Sequence, residues 1–498
     1  MSTRMNEPIE ADPAGAVVRL PVLVAVECVA VAVRTLTTST TIGSPDGETF
    51  SISTKEDNGD EQPHGNLSSC SGDTSSSHET AGMIRENANI YKTAFHIFKA
   101  NVGTGVFLLP IFYQGAGYIL GPVIALLTGA CVIDASQLLL RSKLVINQPR
   151  VDTYSRICRF VFGPPVQWTL FVCLLLSQFG FCLLYVQLTV DTMNMMVKFS
   201  GSTYVWSFVM FTIEFACTCF SGNFSALAVA SITATLAVSF TLVVTFVYIC
   251  MEIDANGGPH STVSGFGNNI PIGWFGNMAG NMMVLEGIAI VLPAHTGCSQ
   301  KSRFKPMLSV ALAVTVVIYL LYGLTGYLAY GTSIAVSVVD GLSESKLTTA
   351  VRVMLIVNLV CTYPVQFQSA IQAVDQLVGC RALSLKGISL RLFINLLIVA
   401  IELIIGPKAV QAVVHFIGAL PATVMVFILP ALLTLQVDFA VANPEEDRVT
   451  LRYWKRIFTE SSLLPWRRFC CFCYILFGLL VMVMGTYDAV SSLQEQAE

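Results

Sequence analysis

Two stretches of this sequence place glycines and polar side chains inside long apolar runs, at 96–110 and at 276–295. Glycine tolerates breaks in a helix, and in lipid a backbone that leaves the helix must find other partners for its amides and carbonyls. Helices broken at that depth line cavities and hold ligands in many transporters. We therefore predict that these two stretches form one binding site.

The two stretches offer complementary chemistry. At Gly103-Thr104-Gly105, a helix that restarts presents free amides and the positive end of its dipole, which suit a carboxylate. At the second stretch, unwound carbonyls from Val284 to Glu286 would accept hydrogen bonds from an ammonium group. An α-amino acid carries both groups on one carbon. The predicted binding residues are Gly103, Thr104, Gly105, Val106, Val284, Leu285, Glu286, Gly287, Tyr363 and Gln366.

Each glycine-rich break alone also fits a close contact between helices, because small residues let helices approach. The two stretches share one order of features: small residues, a polar group, glycine at mid-span and an apolar run that closes on Leu-Pro. Two such breaks in corresponding helices favour a binding site over packing. The residues predicted to contact the substrate side chain are Phe107, Met282, Met283 and Ile288.

The composition places these stretches in a membrane protein. Of the 498 residues, 54% are hydrophobic and 12% are charged, whereas soluble domains carry about 25% charged residues. The net charge of −4 argues against a nucleic-acid partner. The 15 cysteines lack the spacing of a zinc site, so we predict no metal and no cofactor. No sequence feature identifies a protein partner.

Apolar windows of about 20 residues predict an all-α membrane protein with eleven spans. The second break lies five spans after the first and runs in the opposite direction, as expected for an inverted repeat of five plus five helices. The last span is then an extra helix. The predicted spans are 93–115, 119–141, 166–190, 203–220, 227–250, 274–294, 307–329, 348–374, 389–406, 409–435 and 470–490.

The loops predict the orientation of the chain. Basic residues cluster at 85–92, 141–159, 301–305, 381–391 and 448–468, whereas the opposite loops hold only Lys198, Lys346 and Lys408. Positive charge marks the cytosolic side, so we expect a cytosolic N-terminus and an extracellular or luminal C-terminus.

The transporter domain is predicted at 91–490, between two tails. Residues 1–90 are rich in Ser, Thr, Gly and acids and are expected to be a disordered cytosolic tail. The apolar run 17–33 within that tail fits neither a membrane span nor a signal peptide. Residues 491–498 are expected to be a short C-terminal tail.

Five motifs resemble the amino acid/auxin permease family, and within it the proton-coupled amino acid transporters. They occur in order in spans one, three, six, seven and eight. The motifs are HIFKANVGTG at 96–105, SQFGFCLLY at 177–185, LEGIAIVLP at 285–293, YGLTGYLAYG at 322–331 and TYPVQF at 362–367. The resemblance implies eleven helices, a LeuT-like fold, and symport of small amino acids with protons.

The resemblance also places the family's proton-coupling histidine at His96. A histidine titrates near neutral pH, and an ionisable residue within a span is a functional candidate. His96 lies seven residues before Gly103, on the same face of a continuous helix; the alternative is a polar residue at the cytosolic interface. Glu286 is the second candidate for proton coupling. Asp134 could relay protons or pair with another span. Residues expected to serve helix packing or interfaces are Glu214, Glu402, His415 and Asp488.

These features predict a secondary active transporter that carries small or neutral amino acids by proton symport with alternating access. Sodium coupling on the same fold is an alternative, and so is an amino-acid sensor with little flux. A membrane-embedded enzyme is not favoured, because no nucleophile motif accompanies His96 or His415. The sequence leaves open whether the membrane is the plasma membrane or that of a vacuole or lysosome.

Overall fold

The computed structural model describes residues 89–219, 224–267, 271–334, 337–380, 383–406, 410–444, 448, 450–459 and 465–497, and its elements are helices. Two 3-10 segments, Thr104–Leu108 and Gly287–Ile290, lie within the two glycine-rich stretches. The α-helices in chain order are α1 Ile90–Asn101, α2 Leu109–Ile146, α3 Tyr154–Phe162, α4 Pro164–Met196, α5 Ser202–Cys219, α6 Phe224–Ala255, α7 Ile272–Val284, α8 Val291–Gly297, α9 Lys301–Tyr330, α10 Lys346–Val378, α11 Leu385–Ile405, α12 Val410–Ile417, α13 Leu429–Ala442, α14 Leu451–Thr459 and α15 Pro465–Ala497.

Nine helical stretches in this part of the chain are long and apolar enough to cross a membrane. Eight of them each correspond to one predicted span. The ninth, Thr104–Ile146, holds the end of the first predicted span and all of the second. The fourth predicted span corresponds to α5, which has 18 residues and is not among the nine. The chain is therefore an all-helical membrane protein, and the count of eleven stays a prediction.

The chain turns between the first two predicted spans at Gly117. Its φ of 75° and ψ of 177° are not helical, and only glycine adopts this φ without strain. Beyond the turn, the amides of Tyr118 and Ile119 donate to the carbonyls of Ser264 and Gly265 at 3.0 Å. The loop after α6 therefore supplies hydrogen-bond partners that a new helix start lacks.

Two groups of helices share the interior. One group has α2 packed along α7, α9 and α13, and the other has α10 packed along α4 and α6. The glycine-rich stretches border α2 and α7, so the first group brings them together. The described contacts thus place both predicted breaks inside the bundle, where their backbone groups are shielded from lipid.

One cation of the predicted cytosolic loops lies inside the bundle. Arg391 on α11 is fully buried, and its guanidinium donates to both carboxylate oxygens of Asp375, at 2.7 and 3.3 Å. A buried arginine needs such a partner because an unpaired charge is costly in the interior. Arg391 therefore joins α11 to the end of α10, and the orientation prediction rests on the other cations.

The two predicted tails are described unequally. Residues 1–88, which include the apolar run 17–33, lie outside the described residues, so the predicted disorder there stays a prediction. At the other end, α15 continues to Ala497. The predicted tail 491–498 is thus helical over nearly all of its length.

Candidate functional site

The first break separates α1 from α2. After α1 ends at Asn101, Val102 and Gly103 are extended, with φ/ψ of −87°/97° and −125°/−169°. The 3-10 segment Thr104–Leu108 then runs directly into α2. A Cβ built on Gly103 would meet nothing within 4 Å. The first break is therefore a short extended segment with free space beside it.

The second break separates α7 from α8. Beyond Val284, Leu285 and Glu286 depart from helical geometry mainly in ψ, with φ/ψ of −95°/22° and −72°/17°. The 3-10 segment Gly287–Ile290 then leads into α8. The chain bends here without an extended residue, so this break is tighter than the first.

The two breaks pack against each other through their glycines. A Cβ on Gly287 would lie 2.3 Å from Oδ1 of Asn101, the last residue of α1. A Cβ on Gly105 would lie 3.1 Å from Cγ2 of Val284, the last residue of α7. Each broken helix therefore sets its last helical residue against a glycine just beyond the other break.

Buried polar atoms gather where the two breaks meet. Oδ1 of Asn101 has no hydrogen-bond partner within the described chain. The hydroxyl of Thr104 lies near that of Tyr185, and the carboxyl of Glu286 lies near the hydroxyl of Ser177. Asn101 and Thr104 are 4% and 1% exposed. Unsatisfied buried polar groups are costly and rare. The polar groups at this junction therefore give it the chemistry to bond a polar ligand or water.

Tyr319 of α9 holds the end of the first broken helix. Its hydroxyl donates to the carbonyl of Asn101, and it also lies near the backbone of Gly103. Sequence reasoning missed Tyr319, although it lies on the buried face of α9, one turn before Tyr322 of the fourth motif. The sequence did offer one signal for Tyr319, because a tyrosine one helical turn before a motif lies on the same helix face as that motif.

Tyr185 of α4 brings a second helix group to the breaks. It lies near Thr104, near Gln366 of α10 and near Glu286. The predicted residue Gln366 is therefore placed at the site. Tyr185 belongs to a motif noted in the sequence, but no role was assigned to it there. Tyr185 therefore lies between the two breaks and α10.

Several predicted contacts are packed into the core around the breaks. Val106 is fully buried, and its amide already donates to the carbonyl of Gly103 at 3.3 Å. The sulfur of Met282 accepts a hydrogen bond from Thr423 at 3.5 Å. The predicted side-chain contacts, all at most 2% exposed, are Phe107, Met282, Met283 and Ile288.

His96 is not brought to the breaks. It lies on the exposed face of α1, whereas Thr93, Ile97 and Asn101 form the buried face. The expectation of a shared face with Gly103 assumed a continuous helix, and α1 ends before that residue. The structure therefore gives His96 no contact with the predicted site, and its role in proton coupling stays a prediction.

Tyr363 and Asp134 face other partners. The hydroxyl of Tyr363 donates to Oδ1 of Asn395 on α11 at 2.8 Å, so it joins α10 to α11. Asp134 on α2 pairs with Arg467 at 3.0 Å and accepts a hydrogen bond from Tyr474 at 2.9 Å. Asp134 therefore pairs with another helix, which was one of the two predicted roles, and joins α2 to α15.

The sequence from 86 to 491 matches a family model described as transmembrane amino acid transporter protein. Among similar curated proteins, Amino acid transporter AVT3A of Arabidopsis thaliana is 24% identical, over 80% of this chain and 88% of that protein. Vacuolar amino acid transporter 3 of Saccharomyces cerevisiae is 23% identical, over 59% of this chain and 43% of that protein. This chain thus spans less than half the length of the yeast protein.

The fold is similar to that of a solved transporter. The inward-facing conformation of Mhp1 aligns with a TM-score of 0.53 and 11% identity, over 83% of this chain and 92% of that one. At this identity the likeness concerns the fold alone.

Proposed function

This chain belongs to the family of transmembrane amino acid transporters, the amino acid/auxin permeases, and from that premise we propose that it carries small or neutral amino acids by proton symport. Its relatives are transporters and not enzymes. The sequence has no nucleotide-binding motif, so we infer that an ion gradient supplies the energy.

The contact between the two breaks carries this proposal. In it, the amides of Thr104 and Gly105, which start the helix beyond the first break, receive the substrate carboxylate, because first-turn amides have no acceptor within the helix. The carbonyls from Val284 to Glu286 receive the ammonium group. The hydroxyl of Thr104 and the carboxyl of Glu286 support this assignment, since they lie at the two breaks and offer hydrogen bonds to a bound amino acid.

For the membrane arrangement, we propose eleven spans in two inverted sets of five, plus α15. The turn at Gly117 supports separate first and second spans, and the reciprocal contacts of Gly105 and Gly287 support related halves. The N-terminus then faces the cytosol. The name of the yeast relative, Vacuolar amino acid transporter 3, favours a vacuolar membrane, with the C-terminus in the lumen.

Reconstituted protein tests the proposal. Proteoliposomes receive an equimolar mixture of the twenty protein amino acids, and mass spectrometry measures the amino acids taken up under an imposed pH gradient or an imposed sodium gradient. We expect accumulation of small neutral amino acids that follows the pH gradient. Accumulation that follows sodium would refute proton coupling. Binding without accumulation would identify a sensor.

Two substitutions test the predicted coupling residues in the same assay. Glu286→Gln removes the titratable carboxyl at the second break and is expected to lower pH-driven accumulation about tenfold or more. His96→Ala tests the residue that the family resemblance implies. Full pH-driven accumulation by His96→Ala would exclude that histidine, and the same result for Glu286→Gln would exclude the carboxylate.

A further inference from the structure

A histidine and an aspartate meet in the interior, apart from the residues assigned to the substrate. Nδ1 of His415, on α12, lies 2.5 Å from Oδ2 of Asp488, on α15. Their side chains are 3% and 7% exposed. From the sequence, both residues are expected to serve helix packing or interfaces. The structure instead joins them, across 73 positions of sequence, into one buried titratable pair.

The pair lies directly against the second broken helix. A Cβ on Gly276 of α7 would lie 2.2 Å from Oδ2 of Asp488 and 2.9 Å from Cε1 of His415. Gly276 precedes Val284 by about two helical turns, or about 12 Å along the axis. A change in the shape of the pair therefore acts on the same helix that presents the predicted substrate carbonyls.

Among the described residues, the charged side chain in contact with His415 is that of Asp488. Phe112, at the start of α2, contacts the imidazole ring with 5.6 Å between ring centroids, and neither Phe112 nor Gly276 titrates. Glu402 of α11 lines a small cavity together with Val413 of α12. Val413 precedes His415 by two residues and therefore lies on a different side of that helix. Asp488 is thus the group whose charge responds most directly to a proton on His415.

The helix that carries His415 is irregular just beyond it. π-helical turns, Gly418–Ala422 and Val424–Ile428, follow α12. A Cβ on Gly418 would lie 1.8 Å from the carbonyl oxygen of Ala279, so this chain and α7 touch backbone to backbone. Such turns occur frequently at functional sites. The pair therefore sits where a distorted helix bears closely on α7.

One proton changes the electrostatics of this site. With neutral imidazole the pair carries one negative charge, and with imidazolium it is an ion pair with no net charge. An uncompensated buried charge is costly, so the two states favour different surroundings. Nε2 of His415 is buried and has no hydrogen-bond partner among the described residues. An imidazolium needs an acceptor or water there, which gives protonation a structural consequence.

We propose that His415 and Asp488 form a proton-binding pair that is loaded and unloaded during transport, and that Gly276 passes the change to the second break. The inference rests on the proposed proton symport. It gives a coupling proton a buried site in contact with a broken helix, whereas His96 is exposed and touches neither break.

His415→Gln and Asp488→Asn test the pair, because each variant keeps a hydrogen-bonding side chain that cannot take part in the proton exchange. Proteoliposomes with the equimolar amino acid mixture are assayed from about pH 5 to about pH 8, the range in which histidine titrates. We expect the wild-type change in uptake, about tenfold or more, to fall below about twofold in either variant. The number of protons carried per amino acid is calculated from the pH and amino acid gradients at which net uptake is zero. This number is expected to fall by one.

A matched control is His260→Gln, which removes a half-buried histidine bonded to Thr262 in the loop after α6. It is expected to keep the wild-type pH profile and proton ratio. If His415→Gln also keeps both, the pair is structural only, while proton symport stands. If amino acid uptake by the wild-type protein does not depend on pH, both the proposed symport and the proposed role of the pair are refuted.

Folding is checked by the unfolding temperature of each purified variant. If the single variants do not fold, the double variant His415→Gln/Asp488→Asn replaces them, because its two amides can still bond to each other. A folded double variant with the wild-type pH profile would refute the proposal. Loss of the profile with retained substrate protection against unfolding would support it.

Discussion

The two breaks look alike in sequence but use their glycines differently. At the first break, Gly103 is extended and has free space where a side chain would begin. At the second break, Gly287 has no such space, because the amide of Asn101 occupies it. One glycine leaves room and the other makes a contact. The space at Gly103 suits the approach of a ligand, and the contact at Gly287 is one of close helix packing.

This difference indicates a division of roles. The extended segment at Val102 and Gly103 exposes backbone to a ligand, so the first break is suited to binding. The bend at Leu285 and Glu286 keeps nearly helical backbone and is closely packed, so the second break is suited to transmitting movement between helices. Substitutions that separate stability from substrate affinity can test this division.

The largest effect is expected for Gly287→Ala. The new Cβ would overlap Asn101, which is held by its own hydrogen bond to the carbonyl of Ile97 at 2.8 Å. We expect uptake to fall about 100-fold, as for misplacement of reacting groups by about 1 Å. Overpacking is expected to cost about 1–3 kcal/mol of stability. Uptake and thermal unfolding of the purified variant measure both effects.

Gly103→Ala is the matched control for that substitution. Because its Cβ meets nothing within 4 Å, we expect the wild-type unfolding temperature. The methyl group occupies the space assigned to substrate, so KM is expected to rise. A loss of stability in Gly103→Ala as large as that in Gly287→Ala would remove the distinction between the breaks.

The next largest effect is expected from the polar groups. Glu286→Gln removes a titratable carboxyl at the second break and is expected to lower pH-driven accumulation about tenfold or more, which corresponds to a loss of about 1.5–3 kcal/mol. Thr104→Val removes a neutral hydroxyl, worth about 1 kcal/mol, and is expected to raise KM about fivefold. Initial rates across substrate concentration give both values. Equal effects would contradict a special role for the carboxylate.

A smaller effect is expected for Gly105→Ala, whose Cβ would lie 3.1 Å from a methyl group of Val284. This contact can relax, so we expect a loss of about 1 kcal/mol, at the low end for overpacking. Val284→Ala in the same chain provides room and is expected to restore part of the stability. A double-mutant cycle on unfolding free energies measures the coupling, and strict additivity would contradict direct contact.

The loop over the first break is expected to make stability depend on pH. The segment Val338–Gly341 contacts Thr104–Leu108, and burial, aided by Asp191 and opposed by Arg352, raises the pKa of Asp340 to about 7. The fold thus favours the neutral carboxyl, and stability falls as pH rises towards that pKa. Asp340→Asn is expected to flatten the dependence of the unfolding temperature on pH between about pH 4 and about pH 7.

Helix positions and the breaks could be predicted because hydropathy and glycine chemistry are local. The fourth span was the hardest to define, since α5 is short and contains Glu214. Contacts between breaks could not be predicted, because Asn101 and Gly287 meet only through tertiary packing. The expected shared face of His96 and Gly103 is wrong, because helical periodicity relates two residues only while the helix continues, and α1 stops before Gly103.

The smallest effect is expected for Tyr319→Phe. Its hydroxyl bonds the carbonyl of Asn101, which is the last residue before the extended segment. Loss of one neutral hydrogen bond costs about 1 kcal/mol, and the phenylalanine ring keeps the packing. We expect a slightly lower unfolding temperature and a raised KM, because the first break loses part of its support. The second break has no comparable tyrosine bond in the described chain. The control is therefore Tyr322→Phe, which removes a hydrogen bond to Thr245 that lies away from Asn101. If both variants raise KM equally, the support of the first break is not specific to Tyr319.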